Sequence, residues 1–233
     1  MTIGIIGAMR EEITPLLEFY KEYERIEAAG NTFYKVNYKQ VHIIIAYSKI
    51  GKVHAAITAS IMIATFGCEQ LIFSGVAGGL TKKLKVGDLV LATSLCQHDV
   101  DISAFGHALG FIPEGKLFYE SDSKLHNLAL QVAKNIGLNI YEGIVASGDQ
   151  FIASQEKKDF ITKEFGAVAV EMEGASVACV CDNFKIPCCI FRSISDSADG
   201  EANVSFDEFL ESSAKVSANF VTKLINEIVA DLS

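Results

Sequence analysis

The sequence predicts an α/β fold, a three-layer α/β/α sandwich with a mixed central β-sheet. Three observations carry this. Short apolar runs of strand length alternate with stretches of helical period along the whole chain. Two neighbouring runs, 32–36 and 41–47, are joined by the polar turn 37–40 and read as a β-hairpin, so the sheet is not all parallel. Several apolar runs end in glycine or charge, where α/β proteins build their sites.

Taken in order, residues 2–6 read as a buried strand and 12–24 as a charged, leucine-bearing helix. Pro15 has no N–H to give the carbonyl of Glu11, so it fits only near that helix's first turn. After the hairpin come a helix over 52–66, a short buried strand over 71–74 and another over 88–95. A helical period returns at 123–136, a strand at 140–147, a polar helix at 156–164 and a strand at 167–170. Residues 173–183 form a helix with small residues on its packing face, and 187–191 a buried strand. A long amphipathic helix over 206–229 closes the chain. Ser205 and Glu208 are spaced as a capping box, which would satisfy two orphan donors at that helix's start.

At 233 residues with no linker, the chain suits one domain, 1–233. Its net charge is -9, from 20 basic and 29 acidic residues, with no basic cluster; nucleic acid and anionic membrane are poor partners. Four of the six cysteines, Cys179, Cys181, Cys188 and Cys189, lie in apolar runs without zinc-site spacing, and read as small hydrophobes with reduced thiols. The N-terminus lacks the basic and long apolar regions of a signal peptide, and no apolar stretch is long enough to span a bilayer. The expected location is the cytoplasm.

Glu171-Met172-Glu173 is the most informative segment, because it sets two carboxylates inside an apolar run. Burying an unpaired carboxylate costs several kcal/mol, so two together point to chemistry or ligand binding. The strand at 187–191 runs directly into Arg192-Ser193-Ile194-Ser195-Asp196. Gly75-Val76-Ala77-Gly78-Gly79 follows another strand; it is either a tight turn or a ligand cradle. It is not GxGxxG, and no P-loop lysine motif is present, which argues against dinucleotide and ATP. Gly7–Glu12 ends the first strand, and its acids suit a solvated first helical turn as well as a site. Ser147–Ile152 is either a strand-to-helix turn or an aromatic ring and amides offered to a planar ligand. His98-Asp99-Val100-Asp101 imitates a metal cluster, but alternation sends its side chains to different faces, favouring hydrogen-bonded residues near an interface. The Phe-rich, irregular 102–119 reads as a lid, binding loop or interface segment. Convergence of four such strand ends indicates a small-molecule site.

These pieces resemble one family, the bacterial 5′-methylthioadenosine/S-adenosylhomocysteine nucleosidases of the purine nucleoside phosphorylase superfamily. The matching segments are Ile3–Met9 with Glu11-Glu12, Ser48–Lys52, Val76–Gly79 before Leu84–Asp88, Ser147–Asp149 with Phe151-Ile152, Val170–Glu173, Arg192–Asp196 and Ser205–Leu210. They cover the chain in the family's order. One departure is Val76, where the family's commoner loop has serine. With Arg10–Pro15 and Ser74–Gly78, it makes the chain similar to the branch that also hydrolyses 6-amino-6-deoxyfutalosine.

The resemblance implies a nucleoside phosphorylase/hydrolase-like fold and hydrolysis of the N-glycosidic bond of 5′-modified adenosines: methylthioadenosine, S-adenosylhomocysteine, 5′-deoxyadenosine and aminodeoxyfutalosine. It implies places in methionine salvage and menaquinone biosynthesis. Asp196 would protonate adenine N7, and Glu12 would activate the attacking water, which Arg192 and Glu171 help to position. Glu173 would accept from the ribose hydroxyls, Met172 would pack on the sugar, Phe151 would stack on adenine and Ile152 would read its edge. Val76, Ala77, Gly78 and Ser195 would also bind substrate. Ile50 and Phe206 would line the 5′ pocket, with Phe105 and Pro113 reaching in from the partner of a homodimer. No cofactor or metal is implied. The rivals are a phosphorylase using phosphate in place of water and a non-catalytic adenosine-binding module.

Overall fold

The structure is a computed structural model and describes residues 1–198 and 202–232. Among these the strands are β1 (Thr2–Gly7), β2 (Glu24–Ala28), β3 (Asn31–Tyr38), β4 (Val41–Tyr47), β5 (Gln70–Gly79), β6 (Leu89–Gln97), β7 (Tyr119–Glu120), β8 (Ile140–Ser147), β9 (Ala167–Glu171) and β10 (Cys188–Asp196). The α-helices are α1 (Arg10–Tyr20), α2 (Lys52–Ala64), α3 (Ser123–Asn135), α4 (Gln155–Phe165), α5 (Gly174–Phe184) and α6 (Ala202–Ala230).

The strands form one mixed sheet in the order β10-β6-β8-β9-β5-β1-β4-β3-β2, with β7 on β6 and β10 also paired to β5. Alternation along each strand serves both faces, as a period of two dictates. Ile3 and Ile5 of β1, Ile43 and Ile45 of β4, Ile72 of β5 and Phe191 of β10 pack with α1, α3 and α6. Ile6, Ile44, Phe73 and Ile190 face α2 and α5 on the other side. Both layers bury apolar side chains on the same sheet, which is the predicted three-layer sandwich.

The additional β10–β5 pairing matters for the site. β5 runs parallel to β1 as far as Phe73 and parallel to β10 up to Gly78. Beyond the end of β1, β5 pairs antiparallel with β9 at Gly78 and Gly79. Strands β5, β10, β6, β8 and β9 therefore close on themselves. The C-terminal end of β5 thereby meets the C-terminal end of β9, and strand ends from both parallel groups converge in one place.

Several boundaries differ from expectation. Gly75–Gly79 is not a loop after a strand but the second half of β5, buried throughout; glycine and alanine there admit neighbouring carboxylates. The helix expected at 12–24 is α1, which begins two residues earlier and ends at Tyr20, with Pro15 inside it rather than in the first turn. Of its lost end, 21–23 form the connection and Glu24 opens β2, an edge strand of charged residues without an apolar run. α6 begins at Ala202, so Ser205 and Glu208 lie inside the helix and do not cap it. Residues 102–119 are irregular as expected, apart from a 3₁₀ turn at Ser103–Phe105 and the first residue of β7.

Candidate active site

Glu12 projects from the first turn of α1 back over the helix start. Its Oε2 accepts from the amides of Ala8 and Met9, the latter at 2.9 Å, and its Oε1 accepts from the Val76 amide at 2.9 Å. These are donors a helix start leaves unpaired, joined by one from β5. A Cβ on Gly75 would lie 2.5 Å from Glu12 Oε1, so the carboxylate occupies space that only glycine leaves open. Burial raises the Glu12 pKa, against the opposing effect of the Arg192 charge and the three amides.

Glu171 ends β9 and meets Arg192 of β10. Arg192 Nε donates to Glu171 Oε2 at 3.1 Å, with a closer contact from Nη2. Ser147 Oγ and the amides of Glu173 and Gly174 donate to the same carboxylate. The guanidinium also donates to the Phe191 carbonyl at 2.9 Å and lies 4.0 Å from the Phe73 ring centroid. A buried ion pair survives only when its remaining hydrogen-bonding capacity is met, and here it is.

Glu173 precedes α5, and its Oε1 accepts from the Gly51 amide at 2.8 Å. Burial and the nearby Glu171 charge push its pKa up to about 8. Asp196 follows a register shift in β10, where Ile194 pairs with Ala77 but Asp196 pairs with Gly78. Such bulges re-aim side chains beside active sites. Asp196 Oδ2 accepts from Ser195 Oγ at 2.9 Å and Oδ1 from the Ala198 amide at 2.8 Å. A Cβ on Gly78 would lie 2.8 Å from that Oδ1, the same arrangement that Gly75 makes with Glu12.

These groups open onto one cavity of about 340 Å³. Its walls include Glu12, Ile50, Val76, Ala77, Gly78, Phe151, Ile152, Glu171, Met172, Glu173, Ser195, Asp196 and Phe206, all singled out from the sequence. Phe151 and Phe206 meet edge to face, with centroids 5.6 Å apart. Arg192 stands behind the wall, against Glu171. Phe105 and Pro113 lie outside this cavity and are exposed. Ala8, Met9, Gln150 and Val170 also line it. The sequence does not mark them individually as site residues, but each lies in a segment it singles out, Gly7–Glu12, Ser147–Ile152 or Val170–Glu173. Of the metal-like cluster, Asp99 pairs with Lys52 and Asp101 accepts from the Ser103 amide, while His98 is buried.

Among the described residues, the cavity wall thus carries four carboxylates and no lysine or arginine. Deeply set acids in an otherwise apolar cleft can donate and accept protons and can stabilise a developing cation. The phosphorylase superfamily model matches residues 2–226. The chain belongs to the phosphorylase superfamily. Among its superfamily relatives, the aminodeoxyfutalosine nucleosidase of Helicobacter pylori is 56% identical over 227 residues, spanning 97% of this chain and 98% of the relative. The 5′-methylthioadenosine/S-adenosylhomocysteine nucleosidase of Oceanobacillus iheyensis is 38% identical over 229 residues, spanning 98% and 100%. The crystal structure of Helicobacter pylori 5′-methylthioadenosine/S-adenosylhomocysteine nucleosidase with butyl-thio-DADMe-Immucillin-A superposes with a TM-score of 0.97 at 55% identity, covering 97% of this chain and 98% of that one.

Proposed function

We propose that this superfamily member is a nucleosidase that hydrolyses the N-glycosidic bond of 5′-modified adenosines and releases adenine. The observation that carries the reading is the placing of Glu12 and Asp196 over two glycines of one strand, Gly75 and Gly78, in one cavity. Three residues along a strand separate these anchor points by roughly 10 Å, which leaves room for a sugar between an acid and a base. The relatives' names, aminodeoxyfutalosine nucleosidase and 5′-methylthioadenosine/S-adenosylhomocysteine nucleosidase, support the substrate class.

In this reading Asp196 gives its proton to adenine N7, so the base leaves neutral as the C1′–N9 bond breaks. Water supplies the new C1′–O bond and gives its proton to Glu12. Glu171, fixed by Arg192, holds that water, and the surrounding carboxylates stabilise positive charge on the ribose. Glu173 takes the ribose hydroxyls, Met172 packs on the sugar, Phe151 stacks on adenine and Ile152 reads its edge. The apolar Val76 and the 5′ wall of Ile50 and Phe206 suit methylthioadenosine, S-adenosylhomocysteine, 5′-deoxyadenosine and aminodeoxyfutalosine. The enzyme would serve methionine salvage and menaquinone biosynthesis.

The protein works as a single domain, 1–233, in a homodimer whose second subunit brings Phe105 and Pro113 to the 5′ pocket. Their exposure in one chain supports this. Six free cysteines suit a reducing cytoplasm, and among the described residues no helix is long and apolar enough to cross a membrane.

The test is incubation of purified protein with methylthioadenosine, S-adenosylhomocysteine and aminodeoxyfutalosine in phosphate-free buffer, following adenine. Release from all three is expected. Release only after phosphate is added would make the protein a phosphorylase, a reading disfavoured by a wall that carries no cation among the described residues. Intact substrates under both conditions would leave a binding module.

A further inference from the structure

Lys52, Asp99 and Asp149 stand outside the cavity wall, yet they form a closed ring between two loops that supply it. The Lys52 ammonium contacts Asp99 Oδ1 at 2.6 Å, with side chains only 15% and 11% exposed. Asp99 Oδ2 accepts from the Asp149 amide at 2.8 Å. Asp149 Oδ1 in turn accepts from the Lys52 amide at 2.8 Å. Gln97 Oε1 takes a further Lys52 Nζ hydrogen at 3.1 Å. The ring thus joins the start of α2 to the segments after β6 and β8. Gly51, at a φ of 100°, is part of the same construction, since a Cβ there would approach Asp149 Oδ1 to 3.0 Å.

The neighbours of the ring are what give it a task. Ile50 and Phe151, one residue from Gly51 and two from Asp149, are cavity walls with 53% and 43% of their surface exposed. Little packing holds such residues, so their place depends on backbone anchoring. Gly51 also donates to Glu173. A largely covered Lys52–Asp99 ion pair, closed into a ring through two backbone amides and the exposed Asp149, fixes the relative placement of two surface loops.

We propose that Lys52, Asp99 and Asp149 are positioning residues that lock the Ile50–Gly51 and Gln150–Ile152 walls together and, through the Gly51 amide, aim Glu173 at the ribose. This rests on the nucleosidase reading for its substrate, but not for the clamp itself. Contacts made by these walls hold substrate and transition state alike, so loosening them raises KM more than it lowers kcat.

The experiment compares the full-length protein with Asp99→Ala, Lys52→Met, the double variant and Asp99→Asn, which keeps shape and one of the two acceptor oxygens. For Asp99→Ala and Lys52→Met, KM for methylthioadenosine should rise about tenfold while kcat falls less than about threefold. The double variant should be no worse than either single, since the partners act as a unit, and Asp99→Asn should recover part of the loss. Amide hydrogen exchange should speed up at residues 51, 52 and 149 while the sheet strands stay protected. Unchanged KM in Asp99→Ala, additive losses in the double variant, or unchanged exchange at those amides would overturn the clamp. An inert wild-type protein would overturn the nucleosidase reading instead, and the exchange measurement would still decide the clamp. If Asp99→Ala fails to fold, Lys52→Met and Asp99→Asn carry the same comparison.

Discussion

At the scale of the residue, the site is a set of carboxylates whose surroundings differ. Asp196→Asn keeps shape but loses a transferable proton, and a positioned general acid is worth about 10²–10⁴ in rate. Its kcat should fall by that order while affinity for a substrate analogue survives, as read by steady-state kinetics beside equilibrium binding. Glu12→Gln should behave alike, because its water is no longer activated. Near-normal kcat in Asp196→Asn would be fatal to the assignment. Arg192 is different: truncating one partner of a buried ion pair costs about 3–5 kcal/mol, so its substitution reads out stability before chemistry. Glu173 makes a prediction about pH. Its folded-state pKa of about 8 lies above the ordinary carboxylate value, so between the two the folded protein holds a proton that the unfolded chain has released. The stability this provides is complete below the unfolded pKa and is lost as pH rises through the folded one. Glu12, raised by burial, acts in the same direction; His98, lowered by burial, acts oppositely at the acid end. Between pH 5 and 8 the Tm of wild type should therefore fall relative to Glu173→Gln, and parallel Tm curves would remove Glu173 from the account.

At the scale of the element, β5 decides the site. Its first half is an ordinary buried strand shared by β1 and β10; its second half lacks large side chains because Glu12 and Asp196 lie against it. Gly75→Ala would force a methyl into the space of Glu12 Oε1 and turn the carboxylate off the Val76 amide. We expect kcat to fall at least about tenfold, with a modest loss of Tm, since overpacking costs about 1–3 kcal/mol. Wild-type kinetics in Gly75→Ala would mean that Glu12 is not held where the reaction needs it. The bulge in β10 has the same purpose from the other side. Ile194, just before it, still faces the α2 and α5 layer, and the extra residue turns Asp196 toward the cavity.

At the scale of the whole molecule, the start of α2 and the 102–119 segment leave large apolar side chains exposed. Phe105 is 82% exposed, Val53 67%, Ile50 53% and Ile112 45%, surface that a second subunit would cover. A dimer that covers these side chains should be found by sedimentation at working concentrations. Phe105→Ala should then raise KM for methylthioadenosine although Phe105 lines no part of its own chain's cavity. A fully active monomer would overturn this. The same completed 5′ pocket should make adenosine, which lacks a large 5′ group, a much poorer substrate than methylthioadenosine, and comparable kcat/KM for the two would refute an apolar 5′ wall.

What the sequence determined by itself was the layer architecture, most strand and helix positions, and the thirteen chosen residues that do line the cavity. Hydrophobic period and strand-end composition are local properties, and the motif match across the chain names residues one at a time. β2 escaped because an edge strand of charged residues has no apolar run to announce it. The extent of β5 escaped because glycine looks like a turn until β9 and β10 supply its hydrogen-bond partners. A capping box is likewise only a spacing, and Ser205 and Glu208 lie inside α6 because the helix begins a turn earlier. Tertiary structure alone decided that Arg192 stands behind Glu171, that Glu12 takes an amide from β5, and that Lys52 reaches Asp99 across 47 positions. Each of these depends on strands meeting that are far apart in the chain, and neither propensity nor period encodes such a meeting.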